Sequence, residues 1–156
     1  MILVLSCLFL EIIILMMINE GVCCMSYKKK GIQYEYKVMN ILDYFGFACV
    51  RAPASGSSRK DLPDIICSNS TYTYAIEVKQ RNKEKLYIEK SQVEEIRRFS
   101  DKFGAIPLIV VKFFREPFRV FFANNLPHEY SRSYKVSMED YPLSEKLTEF
   151  LEVRSK

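Results

Sequence analysis

Between residues 30 and 122 the apolar side chains switch repeatedly between helical and strand spacing, and the order of those switches restricts the fold more than any other feature of the chain. Val38, Ile41, Leu42 and Phe45 recur at helical intervals over residues 30–45, and Gly46 follows as a stop. Residues 47–51 predict a short buried strand. Residues 63–67 predict a second, with Pro63 at its start where a missing N–H is tolerated, and residues 73–80 a third. A charged loop over 80–85 leads to a helix over 91–103, with Val93, Ile96, Phe99 and Phe103 as its apolar stripe and Gly104 as its cap. Residues 106–113 form a strongly apolar strand that pairs with 118–122 across Arg115, Glu116 and Pro117. Residues 124–140 show no convincing period, and 143–153 predict a terminal helix with Leu147, Phe150 and Leu151 on one face. The order α-β-β-β-α-β-β predicts an α/β (α+β) fold with a mixed central sheet flanked by helices.

Charge divides the chain unevenly. Residues 1–24 hold no Lys or Arg and only Glu11 and Glu20, so residues 25–156 carry all 23 basic residues against 17 acidic ones, a net +6. We read 25–156 as a single domain and 1–24 as an apolar extension upstream of a true start at Met25. A secretory signal lacks its basic start here, and a membrane anchor over the 17 positions 2–18 is broken by Glu11. A length of 156 residues excludes separate cofactor and substrate lobes, and five glycines without a clustered run argue against a phosphate-cradling loop. One histidine excludes a His-rich metal site and argues against a His-based nucleophile. Cys49 and Cys67 lie in strand-like runs with no metal-ligand spacing, as expected of free thiols. A basic domain rich in Tyr and Phe suits a polyanion such as nucleic acid.

One constellation carries chemistry. Glu77 and Lys79 alternate onto one face of the third strand while Ile76 and Val78 point away. Asp64, preceded by Pro63, lies 13 residues before Glu77 on a neighbouring strand. Two carboxylates brought together this way suit a hard divalent cation, which would activate water and neutralise phosphate, while Lys79 would stabilise charge building on the phosphorane. Glu35, near the start of the first helix, supplies a third carboxylate able to face the sheet. An ion pair on an alternating strand is common, so the Glu77–Lys79 pair alone carries little; the upstream Asp64 and Glu35 give it weight.

These residues, with the run 50–66, Lys30-Gly31, Gly46-Phe47, Tyr87-Ile88 with Gln92-Val93-Glu94, and 110–113, resemble the archaeal-type Holliday junction resolvases in order and spacing over about residues 28–122. The resemblance implies a restriction-endonuclease-like nuclease core. It also implies a homodimer that resolves four-way junctions in recombination and repair by paired cuts in opposed strands, with Mg2+ (or Mn2+) and no small-molecule cofactor. Carried over, Glu35, Asp64 and Glu77 would bind the metal, Lys79 would stabilise the transition state, and Ser55 would be a catalytic loop residue. Lys30, Arg51, Gln92 and Lys112 would contact DNA, with Phe99 and Phe103 near the site edge or dimer face. The chain departs from the family at Tyr36, where Arg is usual after the helix glutamate. The resemblance places the protein in the cytoplasm of an archaeal cell, or of an infected host if the gene is viral, with a membrane role not expected.

Within the loop, the small residues Ala54 to Ser58 have little to bury and Arg59 and Lys60 have phosphates to seek, so we expect a segment ordered by DNA, with Ser55 as a positioning hydroxyl. Two alternatives stay open: a nuclease of the same fold for flaps, nicks or ends, and a non-catalytic DNA-binding protein. His128 falls outside the motifs and reads as a surface residue.

Overall fold

The structure, a computed structural model, describes residues 27–52 and 62–155, with side chains from Gly31 onward. Readings that fall on 1–24 and on 53–61 lie outside the described residues. The chain runs α1 (Tyr27–Tyr44), β1 (Ala48–Arg51), β2 (Ile65–Ser68), β3 (Thr73–Arg81), β4 (Lys85–Glu89), α2 (Lys90–Phe103), β5 (Ile106–Phe113), β6 (Arg119–Phe122), β7 (Ser133–Ser137), β8 (Glu145–Lys146) and α3 (Leu147–Glu152). Short 3-10 turns at Ala123–Asn125 and Met138–Leu143 flank β7. Gly31–Lys156 form one compact unit, and the opening residues of α1 belong to the other, Met1–Lys30.

A six-stranded mixed sheet orders its strands β1-β2-β3-β5-β6-β8. Only β3 and β5 are parallel, because the connection between them carries β4 and α2 and returns the chain in the same direction. The other neighbours are antiparallel. As the central strand, β5 is covered on both faces, which explains its unbroken apolar run. Leu108 and Val110 join Val38, Leu42, Ile65, Tyr74, Ile76, Phe150 and Leu151 in one core, while Ile109 and Val111 join Val93, Ile96, Phe121, Tyr134 and Val136 in the other. Side-chain alternation along β5 thus divides its residues between two cores. Gly46 and Gly104 end α1 and α2 at φ 81° and 75°, as the sequence predicted, and the Gly104 N–H closes onto the Ser100 carbonyl at 2.9 Å.

Four local expectations change. β1 is an edge strand rather than a buried one: Val50 is 67% exposed, because only β2 pairs with it. Residues 124–140 contain β7, which pairs with β4 in a separate two-stranded antiparallel sheet, so the chain holds two strands that the sequence reading passed over. The terminal helix is confined to Leu147–Glu152, since the chain first pairs β8 with β6 and Leu143 stands exposed. Phe103 is 54% exposed, and Ser100 takes the buried position on that turn of α2.

Candidate active site

Asp64 stands where β1, β2 and β3 meet. Its backbone carbonyl accepts the Ala52 N–H at 2.9 Å, extending the β1–β2 pairing by one residue. Across the sheet, β2 and β3 pair Ile65 with Ile76, and one further step in that register sets Asp64 opposite Glu77. The Asp64 carboxylate accepts the Val78 N–H at 2.8 Å, which fixes its side chain against β3. Strand alternation brings Glu77 and Lys79 to the same face as predicted, and Lys79 Nζ donates to Glu77 Oε1 at 2.7 Å.

Glu35 comes from α1, where its Oε2 accepts Arg51 Nη1 at 2.8 Å. That hydrogen bond raises the Arg51 guanidinium above its ordinary value. The guanidinium also lies 5.6 Å from the centroid of the Tyr36 ring. Tyr36, where the sequence departs from the resembled pattern, is therefore the platform on which Arg51 reaches Glu35. Helix position alone makes Glu35 a candidate; the return of Arg51, 16 residues later, needs the β1–α1 contact and has no local sequence signal.

The Asp64 carboxyl is pushed up to about 7: burial is the largest cause and Glu77 and Glu35 add to it, while the Val78 N–H and Lys79 pull the other way. A carboxyl crowded by two others is a group whose charge a dication would stabilise, and hard oxygen donors are the donor chemistry such an ion takes. Among the described residues no group of three or more His, Cys, Asp or Glu side chains closes into a metal-holding cluster. Glu35 instead pairs with Arg51, and Glu77 with Lys79. The donor set fits a divalent cation in kind.

The remaining candidates scatter. Gln92 is exposed on α2. Lys112 is half-buried, donates to the Glu116 carbonyl and lies 5.3 Å from the Phe118 ring centroid; burial, with Lys37 adding, holds its ammonium below the ordinary value. Phe99 and Phe103 stack at 5.2 Å on α2. Lys30 belongs to α1, but its side chain, like Ser55, Arg59 and Lys60, lies outside the described residues. Cys49 and Cys67 face each other across β1 and β2 as free thiols. His128 is exposed as expected, yet its Nε2 lies 2.7 Å from the buried Asp140, a pairing the sequence did not reveal.

Carboxylates and a lysine are thus gathered on two antiparallel strands of a mixed sheet, beside a helix-borne glutamate. Residues 26–156 match the family described as archaeal Holliday junction resolvase (Hjc), and the chain belongs to that family. The crossover junction endodeoxyribonuclease Hjc of Archaeoglobus fulgidus is 33% identical over 122 residues, 78% of this chain and 89% of that protein. Its namesake from Sulfurisphaera tokodaii is 47% identical over 89 residues, 56% of this chain. That aligned part spans 62% of the length of the Sulfurisphaera relative. A crossover junction endodeoxyribonuclease of Sulfolobus islandicus rod-shaped virus 1 is 34% identical over 90 residues, 56% of this chain and 74% of that protein. The crystal structure of A. fulgidus Hjc, a Holliday junction resolvase from an archaeal hyperthermophile, superposes with a TM-score of 0.72 at 30% identity, covering 77% of this chain and 98% of the other. Among the described residues no helix is long and apolar enough to cross a membrane.

Proposed function

We propose that this chain is an endonuclease that resolves four-way DNA junctions by divalent-metal-dependent phosphodiester hydrolysis, acting as a homodimer that cuts two opposed strands. The observation that supports it most is the convergence of Asp64, Glu77 and Lys79 on β2 and β3, with Glu35 near enough to perturb Asp64. Membership of the resolvase family supports the substrate. In this reading 25–156 is the nuclease domain and 1–24 an extension, in keeping with a family match that starts at residue 26. Relatives in archaea and in a virus support action in the cytoplasm of an archaeal cell or of an infected host.

Asp64, Glu77 and Glu35 would hold Mg2+, or Mn2+ in its place. When bound, the ion would supply phosphate neutralisation and water activation. The chain's own residues do the rest. Lys79 turns from Glu77 to donate to the phosphate oxygen where negative charge builds, and Arg51 releases Glu35. Ser55 positions a phosphate oxygen by hydrogen bond from the loop between β1 and β2. Arg59, Lys60, Lys30, Gln92 and Lys112 contribute phosphate contacts, of which Lys112 must leave the Glu116 carbonyl to take part. Nothing in the described structure resembles a base-reading recognition helix, so shape would select the substrate. A two-fold dimer matches the near two-fold symmetry of a four-way junction.

Asp64→Asn and Glu77→Gln test the assignment, since each removes a ligand charge and nearly conserves shape. Both are expected to abolish cleavage of a synthetic junction while binding it normally. Lys79→Ala is expected to slow single-turnover cleavage by about 10²–10³-fold. Near-normal cleavage by either carboxylate variant overturns the metal assignment, and an unchanged Lys79→Ala rate reduces Lys79 to a structural partner of Glu77.

A further inference from the structure

The tip of the β5–β6 hairpin carries two residues that its turn does not call for. The Glu116 N–H returns to the Phe113 carbonyl at 3.2 Å, closing a four-residue turn with Phe114 and Arg115 at its centre. Arg115 has φ 63°, in the left-handed region. A turn with positive φ at its third residue favours Gly or Asn, and a long side chain there is held against backbone strain. Phe114 is 62% exposed, and the Arg115 guanidinium lies 5.1 Å from the centroid of its ring. Among the described residues Arg115 has no carboxylate partner. A strained arginine thus holds its cation over a ring that is mostly exposed. Strain of this kind persists where a side chain is needed for binding.

Topology sets the tip beside the site. β3 and β5 are parallel, with Lys79 next to Val111 and Arg81 next to Phe113. Phe114 follows Phe113 directly, so it lies about 10 Å along the strand direction from the row of Lys79, at about 3.3 Å per residue. Lys79, the exposed Arg81 and the hairpin tip thus follow one another along the same end of the sheet.

We propose that Phe114 and Arg115 form a wedge that stacks on the base pair laid open at the branch point of the DNA, setting the preference for branched over continuous duplex. This inference rests on the reading of the chain as a junction endonuclease. At a branch point the helical stack is interrupted and a base-pair face is available to a ring; in a continuous duplex the same contact requires unstacking. An aromatic ring gains stacking energy on any base, and the guanidinium adds a planar charge for the flanking phosphates. The contact is sequence-tolerant, as selection by shape requires.

The test uses the full chain and its variants Phe114→Ala, Phe114→Trp and Arg115→Gly, each titrated against a synthetic four-way junction and a linear duplex of equal length. A 2-aminopurine placed at the branch reports stacking. Wild type is expected to prefer the junction and to change the 2-aminopurine emission. Phe114→Ala is expected to lose about tenfold in junction affinity, to bind linear duplex unchanged and to leave the emission unaltered, while Phe114→Trp retains both signals. Arg115→Gly is expected to weaken junction binding selectively while its unfolding temperature stays equal or rises, because glycine takes this φ without strain. Phe114→Ala binding the junction as tightly as wild type, or losing equally on both DNAs, overturns the wedge while wild type's junction preference upholds the parent reading. Absence of any junction preference in wild type overturns the parent reading and the wedge with it.

Discussion

Asp64 is held against β3 by the Val78 N–H at 2.8 Å, one register step from the Ile65–Ile76 pair and opposite Glu77. Its partnership with Glu77 and Lys79 could be read from strand alternation and a spacing of 13 residues, because β2 and β3 are joined by a tight turn at Asn69–Tyr72. The grip of Arg51 on Glu35 could not, since it depends on α1 packing beside an edge strand. The same holds for Asp140, which is buried yet accepts hydrogen bonds from the Ser137 N–H and Oγ, both at 2.7 Å, and faces His128. Burial pushes the Asp140 carboxyl up, but the Ser137 and His128 interactions outweigh it and leave it below its ordinary value. A depressed native value stabilises the fold at pH above the unfolded Asp value of about 3.9, and that contribution is lost as pH falls further, through the native value. Asp140→Asn is therefore expected to destabilise the protein by about 1–3 kcal/mol at neutral pH. Chemical denaturation at pH 7 and at pH 3 checks this: the gap between wild type and variant should narrow at the acid end, and a gap constant with pH would mean that charge at Asp140 plays no part.

At the scale of elements, strong periodicity was reliable and weak periodicity was not. α1, α2, β3 and β5 emerged with their caps and faces because each carries a long apolar pattern ended by Gly or by charge. β4 and β7 escaped, although Lys85–Glu89 alternates exposed and buried residues throughout. Each is five residues long, and its partner lies over 40 residues away, so no local turn announced the pairing. β1 was recognised as a strand but not as an edge, since the apolar Ala48–Val50 run looks the same in both settings. Phe103 joined the helical stripe by spacing alone, but on the last turn of α2 it is Ser100 that faces inward and Phe103 that is exposed. The α2 cap offers a direct check on element energetics. Gly104 has φ 75°, and a Cβ added there would meet no heavy atom within 4 Å, so Gly104→Ala meets strain but no clash. It is expected to cost about 1–2 kcal/mol, read as a drop of several degrees in Tm; an unchanged Tm would show that the helix end relaxes out of the left-handed conformation.

For the whole molecule, the sheet order brings α1, β1, β2 and β3 together at one end, and the function proposed for that end depends on DNA reaching it. The net basic charge of 25–156 makes phosphate contact the dominant source of affinity in this account. Junction affinity should fall by roughly 10³-fold or more between about 50 and 200 mM salt if six or more phosphates are engaged; a titration across that range giving a nearly flat affinity would contradict a basic-face contact. Physics alone supports the proposed four-way junction substrate weakly, because a basic face grips the phosphates of any duplex, and family membership adds to that support. The most direct test of the central claim is cleavage by the full chain of a synthetic four-way junction beside a flap and a linear duplex, with Mg2+ and with chelator, mapping cuts on every strand. The account predicts paired cuts in two opposed strands of the junction, faster than any cut in the other substrates and absent in chelator. Equal cutting of flap or linear duplex, or cleavage that persists in chelator, would contradict it.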